Sequence, residues 1–184
     1  MRLVLSLAVM LLVSATSLAE PGTTVLFNYS PAYDCYRQTL RYENDADPEN
    51  CTVAIEMQAL EAEGLAATYS NRGIILARQG EVEAALADHN RALEITTELS
   101  SLYINRANAL MRARRYQDAM EDLDRAVALA DDALATAHYN RSLLFHKLGD
   151  LRAARTEAQR ASELSPESIA YKEYLDSLAA VVSD

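Results

Sequence analysis

Three stretches of this chain repeat one another at a nearly fixed interval. Tyr69-Ser70-Asn71-Arg72-Gly73 aligns with Tyr103-Ile104-Asn105-Arg106-Ala107 and with His138-Tyr139-Asn140-Arg141-Ser142. Downstream, Ala85, Ala119 and Ala154 coincide, as do Ala92, Ala126 and Ala161, and then Ile95, Leu129 and Leu164. The first step is 34 residues, from Asn71 to Asn105, and the second is 35, from Asn105 to Asn140. A period of this length restricts the fold severely. Each unit must be one supersecondary element that cannot bury its own apolar face and therefore stacks on the next. The additional residue of the second step falls between Ala126 and Asn140, around Asp131 to Ala133, where a turn absorbs it at little cost.

Each unit reads as two helices. Ala66–Gln79, Ser100–Ala113 and Ala135–Leu148 are the first helices; Glu81–Ile95, Tyr116–Leu129 and Asp150–Leu164 are the second. The segments are rich in Ala, Leu, Glu and Arg, and the chain holds only 5 Gly and 4 Pro, so local propensity agrees with helix. Gly80 and Gly149 are placed to end a first helix in the left-handed conformation. Arg114 occupies that position in the middle unit and makes a less comfortable turn. Small residues recur where two helices cross closely: Gly73, Ala107 and Ser142 on the first helices, and the two alanine series on the second.

The recurring sites resemble the tetratricopeptide-repeat (TPR) family. Tyr69, Tyr103 and His138 stand at the family's Trp site, Gly73, Ala107 and Ser142 at its Gly site, and Leu76, Leu110 and Phe145 at its Tyr site. Ala85, Ala119 and Ala154 fill the Ala site, and His89, Leu123 and Ala158 the Phe site. Pro166 fills the Pro site of the third unit, where Thr97 and Asp131 stand earlier. The resemblance covers residues 66–168 and implies an all-α fold, an α-solenoid with units at 66–99, 100–133 and 135–168. Ser165-Pro166 is a good helix start, and Ile169–Val182 carries Tyr171, Tyr174, Leu175 and Leu178 on one stripe. Residues 169–184 are therefore expected to cap the C-terminal end. Upstream, Ser30-Pro31 and Asp47-Pro48 start helices at about 31–42 and 48–63, a degenerate hairpin within 20–63.

The first residues read as an address. Arg2, the apolar run Leu3 to Val13 and the small exit at Ser17 and Ala19 form a secretory signal with cleavage after Ala19. The run is shorter than the ~20 apolar residues of a spanning helix, and no later stretch is apolar enough to span a bilayer. The chain is thus expected in a periplasmic or secreted location. Its two cysteines, Cys35 and Cys51, are too few for a zinc site; in an exported chain they form a disulfide or remain two buried thiols. Glu49-Asn50-Cys51-Thr52-Val53-Ala54-Ile55 is similar to the lead-in of exported bacterial TPR proteins, and with the hairpin it favours the disulfide.

Catalytic motifs are missing: His89, His138 and His146 sit in no metal-binding arrangement, and no nucleophile or phosphate-binding signature occurs. No enzyme activity, metal or cofactor is expected. The net charge of −10 argues against sequence-independent nucleic-acid binding. One face of the first helices departs from this acidity. Its stripes are Ala67-Asn71-Ile74-Arg78, Ser101-Asn105-Asn108-Arg112 and Thr136-Asn140-Leu143-Lys147. By resemblance to the family this face lines a concave groove, and Asn71 and Asn105 match the Asn of the family's carboxylate clamp. The clamp's lysine is absent at Ser70, Ile104 and Tyr139. Asn71, Arg78, Asn105, Asn108, Arg112, Asn140 and Lys147 are the candidate groove residues. Asn amides suit a peptide backbone and cations suit carboxylates, so the expected partner is a peptide or protein segment bearing acidic or carboxylate groups. The competing readings are an accessory or carrier subunit for an envelope enzyme or polymer, and a self-associating structural module. Arg72, Arg106 and Arg141 form a separate series, expected to pair with acids of the preceding second helix.

Overall fold

The computed structural model describes residues 30–40, 46–57, 59–129 and 131–181; the signal segment expected at 1–19 lies outside them. Nine helices are seen among the described residues, with no strand: α1 (Pro31–Thr39), α2 (Glu49–Met57), α3 (Ala62–Gln79), α4 (Val82–Ile95), α5 (Ser100–Arg112), α6 (Tyr116–Leu129), α7 (Leu134–Leu148), α8 (Leu151–Leu164) and α9 (Ile169–Val181). Helices α3/α4, α5/α6 and α7/α8 form antiparallel hairpins. Each second helix packs on the next first helix, and α3, α5 and α7 lie side by side. This is the α-solenoid expected from the repeat.

The aligned small residues lie where helices meet. Ala85, Ala92, Ala107, Ala119, Ala126, Ala154 and Ala161 are all fully buried, as are Leu123 and Leu144 between them. A buried leucine of this kind contributes ~1.5–3 kcal/mol by leaving water. At Gly73 the crossing leaves no room for a side chain: a Cβ there would lie 2.8 Å from His89 Cε1 and 3.1 Å from the Ala85 carbonyl oxygen. Ser142 uses its small size differently and donates its hydroxyl to the Ala154 carbonyl oxygen at 2.5 Å.

The three first helices end alike. Glu81, Arg115 and Asp150 donate their backbone N–H groups back to the carbonyls of Leu76, Leu110 and Phe145 at 2.9, 2.9 and 3.0 Å. This closure needs a left-handed residue. Gly80 (φ 88°) and Gly149 (φ 84°) supply it without strain, whereas Arg114 (φ 59°) does so despite its Cβ.

Two expectations are corrected here. The arginine series pairs chiefly within its own repeat: Arg72 Nε and Nη2 donate to Asp88 Oδ2 and Oδ1 at 2.7 and 2.8 Å, and Arg106 holds Asp122 in the same fork. The residual donors reach the preceding second helix, with Arg72 Nη1 on Thr52 Oγ1 and Arg106 Nη1 on Asn90 Oδ1. Arg141 is split more loosely between Asp124 (3.6 Å) and Glu157 (3.5 Å), because His138 Nδ1 takes Glu157 Oε2 at 2.7 Å. The second correction concerns the N-terminal helices. Helix α1 stops at Thr39 and α2 at Met57, and α3 begins at Ala62, inside the span expected to belong to the second of them. Glu61 is extended (ψ 157°), and its carbonyl accepts the first helical bond of α3 from Leu65 N–H at 2.8 Å, so a new helix starts where the old one was expected to run on.

Among the described residues, further helices flank the three hairpins on both sides. Cys35 and Cys51 are bridged, with their Cα atoms 4.6 Å apart, and pack fully buried beside Ala46 and Ile75. The bridge staples α1 to α2 on the outer side of α3. At the other end α9 lays Tyr171 on Tyr139 (ring centroids 4.8 Å apart), sets Tyr174 edge-on to the same ring (5.3 Å) and buries Leu178. The stripe expected on α9 is therefore its packing face. No described helix is long and apolar enough to cross a membrane.

Candidate ligand groove

Residues four and seven apart share one face of a helix, so each first helix presents its stripe to the same side. Because α3, α5 and α7 are adjacent, the three stripes meet in one open cavity of about 800 Å³. It is lined by Ile74, Ala77 and Arg78 of α3, Asn105, Asn108, Ala109, Met111 and Arg112 of α5, Leu143, His146 and Lys147 of α7, and His89 of α4. Five of the seven candidate groove residues therefore converge: Arg78, Asn105, Asn108, Arg112 and Lys147. The cations form one row, at equivalent positions on three helices. One helical turn earlier lies the row Ile74, Asn108 and Leu143.

The polar members are held in place. Arg78 Nη1 donates to the Thr39 carbonyl oxygen at 2.7 Å, which ties the groove to the last turn of the stapled α1. Asn105 Nδ2 donates to Ser70 Oγ at 3.0 Å across the α3–α5 seam. Arg112 and Lys147 extend from the last turns of α5 and α7 and are exposed. Two candidates fall elsewhere. Asn71 is half-buried and outside the cavity lining. Asn140 is only 6% exposed and donates to the carbonyl of Thr136 at 2.8 Å, while α9 docks Tyr171 on Thr136 (Oγ1 to OH, 3.0 Å). The continuous strip expected to include Asn140 is thus interrupted where the capping helix takes its place on α7.

His89 was not expected in the groove. It stands at a packing site, is 1% exposed, and yet lines the cavity. Its Nδ1 faces Ser70 Oγ at 3.5 Å, and its Nε2 is buried without a hydrogen-bond partner. Burial lowers its pKa from 6.5 to about 4; neighbouring Asp88 opposes this and Arg106 adds to it. The ring is therefore neutral at neutral pH. A sequence signal for it existed: the one unit with His at this site is also the one with Gly, at Gly73, on the facing helix. No cluster of three metal-ligating side chains occurs among the described residues.

Family models described as tetratricopeptide repeat match residues 65–102, 100–133 and 135–168, more than half of the chain in total. The chain belongs to the tetratricopeptide-repeat family. Among curated proteins, this TPR chain is 35% identical over 97 residues to the Tetratricopeptide repeat protein 36 homolog of Drosophila melanogaster, a match covering 50% of this chain and 52% of that one. It is 30% identical over 99 residues to Tetratricopeptide repeat protein 36 of Danio rerio, covering 52% of this chain and 53% of that one. It thus spans about half the length of these tetratricopeptide repeat protein 36 relatives. Among solved structures, the thermophilic TPR protein TTC0263 of Thermus thermophilus superposes with a TM-score of 0.72 at 18% identity, covering 86% of each chain. The first TPR domain of Spaghetti (RPAP3), solved with the HSP90 peptide SRMEEVD, superposes with a TM-score of 0.59 at 23% identity, covering 65% of this chain and 96% of that one. These likenesses show the TPR fold.

Proposed function

We propose that this TPR chain is a non-enzymatic scaffold that holds an acidic segment of a peptide or protein in the groove between α3, α5 and α7. One observation carries the reading: Arg78, Arg112 and Lys147, from three successive repeats, line a single cavity in a chain of net charge −10. The acidic remainder of the surface repels an acidic ligand and the groove attracts it, which favours one docking mode over many. Asn105 and Asn108 add amides that can both donate to and accept from a backbone. Apolar surface from Ile74, Met111 and Leu143 gives the segment contact area. The HSP90 peptide SRMEEVD and the HSP70 peptide SGPTIEEVD, each solved with an RPAP3 TPR domain of this fold, are acidic segments of the proposed kind. The compartment proposed for this activity is outside the cytoplasm; the leader-like first residues and a disulfide, which oxidising compartments preserve, support it.

The reading is tested by titrating a labelled oligoglutamate peptide of about ten residues, which offers a carboxylate in every register, against the chain at several salt concentrations. Binding that weakens steadily with salt, as screening of exposed charges requires, is the expected result. No binding of the acidic peptide, or equal binding of an oligolysine, contradicts it.

A further inference from the structure

The groove floor holds a buried histidine nitrogen with no hydrogen-bond partner, and we infer its use: His89 Nε2–H is the seat for a main-chain carbonyl of the bound segment. This rests on the proposed binding of a peptide or protein segment in the groove, and it adds the atom that holds the segment's backbone.

The neighbours of the ring place its hydrogen. Asn105 Nδ2 donates to Ser70 Oγ at 3.0 Å. The hydroxyl that accepts this bond keeps its own hydrogen, and the atom facing it at 3.5 Å is His89 Nδ1. Burial holds the ring neutral at neutral pH. A neutral imidazole with an accepting Nδ1 carries its one hydrogen on Nε2. That nitrogen is buried and has no partner, in a side chain that is 1% exposed and lines the cavity. The ring runs along α3. Its Nδ1 lies at Ser70, while Cε1 and Nε2 would meet a Cβ on Gly73 at 2.8 and 2.9 Å, one turn nearer to Ile74 and Ala77. Those two residues line the groove, so Nε2 is the nitrogen on the groove side.

A buried donor left without an acceptor costs free energy that an apolar residue avoids. The equivalent sites of the other repeats hold Leu123 and Ala158, both fully buried and outside the cavity lining. Of the three, the site that reaches the groove carries the polar ring. The seat suits a neutral oxygen. A carboxylate brought there would lose hydration that an uncharged ring does not replace, whereas Arg112 and Lys147 are exposed and can take the ligand's charges in water. Nε2 is covered in the free chain, so the floor side chains must part slightly as the carbonyl enters. Asn105 lines the same cavity and its amide oxygen can accept from a main-chain N–H, which makes the pair complementary to a peptide backbone.

The test is calorimetric titration of oligoglutamate into the intact chain and its His89→Leu and His89→Gln variants. Leu is the residue of this site in the second repeat and removes the donor. Gln keeps an N–H at about the reach of Nε2. His89→Leu should weaken binding roughly 3- to 10-fold, the net effect of one hydrogen bond, with helix content unchanged, and His89→Gln should retain most of the affinity. In the chain labelled with 15N-histidine, the His89 Nε2 signal should move on saturation with oligoglutamate while the ring stays neutral at pH 6. Undiminished binding by His89→Leu, equal losses in both variants, or an unmoved Nε2 signal overturns the seat. So does a ring that becomes charged on binding at pH 6, because that would place a carboxylate against it. In each of these cases, binding of oligoglutamate by the parent chain still supports the groove itself. If the parent chain does not bind oligoglutamate, both fail.

Discussion

Arg72 grips Asp88 with two nitrogens, Nε and Nη2, each within 2.8 Å of its own carboxylate oxygen. The fork joins α3 to α4, and Asp88 is nearly buried, with 10% of its side chain exposed. Removing one partner strands the other in a poorly solvated seam. Asp88→Ala is expected to lower the stability of the chain by about 2–4 kcal/mol, and the Arg72→Ala/Asp88→Ala double variant by clearly less than the two single losses added. Urea denaturation of the three variants measures this; simple additivity would mean that the fork contributes no coupling.

His89 makes stability depend on acidity. Its folded pKa of about 4 lies below the ordinary 6.5, so between these values the unfolded chain binds the proton more readily. The contribution of the neutral buried ring is fully present above pH ~6.5 and is lost as pH falls towards 4, by up to about 3 kcal/mol. His89→Leu should flatten this part of the pH–stability curve. A curve as steep in the variant as in the parent chain would assign the dependence to other groups.

Arg114 holds a left-handed turn that Gly80 and Gly149 hold in the other two repeats. Arg114→Gly is expected to stabilise by about 1 kcal/mol, the left-handed strain relieved exceeding the entropy that glycine loses. A thermal melt of the two chains decides, and a lower Tm for the glycine variant would show that the Arg114 side chain contributes more than its backbone strain removes.

The repeat, its helix pairs and the convergence of five of the seven candidate residues on one cavity were legible because they depend on spacing, and spacing is written in sequence. What escaped depends on geometry between distant residues. Nothing local marks the break between α2 and α3, because Glu, Ala and Leu continue through it without a proline. Asp131 looked like part of an inserted turn. In the structure its carboxylate accepts from the Ser100 hydroxyl, from Ser100 N–H at 3.0 Å and from Ala133 N–H at 2.9 Å, and so caps the start of α5 from 31 residues away. Burial alone would raise its pKa; the bonds from Ser100 and Ala133 outweigh this and hold it below the usual value. Asn71 and Asn140 match Asn105 by position, but both lie outside the cavity lining, and Asn140 turns its amide to the Thr136 carbonyl of its own helix.

The Cys35–Cys51 bridge closes a loop with a sequence separation of 16. Reduction should cost about 3 kcal/mol in the chain-entropy model and loosen α1, and with it the Thr39 carbonyl that anchors Arg78. Thiol titration of the unfolded, unreduced chain should find no free thiol, and denaturation with and without reductant should differ by that amount. Two titratable thiols would contradict the pairing.

The central claim is that the groove cations hold the ligand. It is tested most directly by calorimetric titration of oligoglutamate into two double variants. Arg112→Ala/Lys147→Ala removes exposed cations from the groove, and Asp118→Ala/Glu121→Ala changes charge on α6 outside it. The first should weaken binding by roughly 5- to 30-fold, as expected for two exposed ion pairs of up to ~1 kcal/mol each, with helix content and Tm unchanged. The second should not weaken it. Equal losses in both variants, or undiminished binding in the first, would contradict the account.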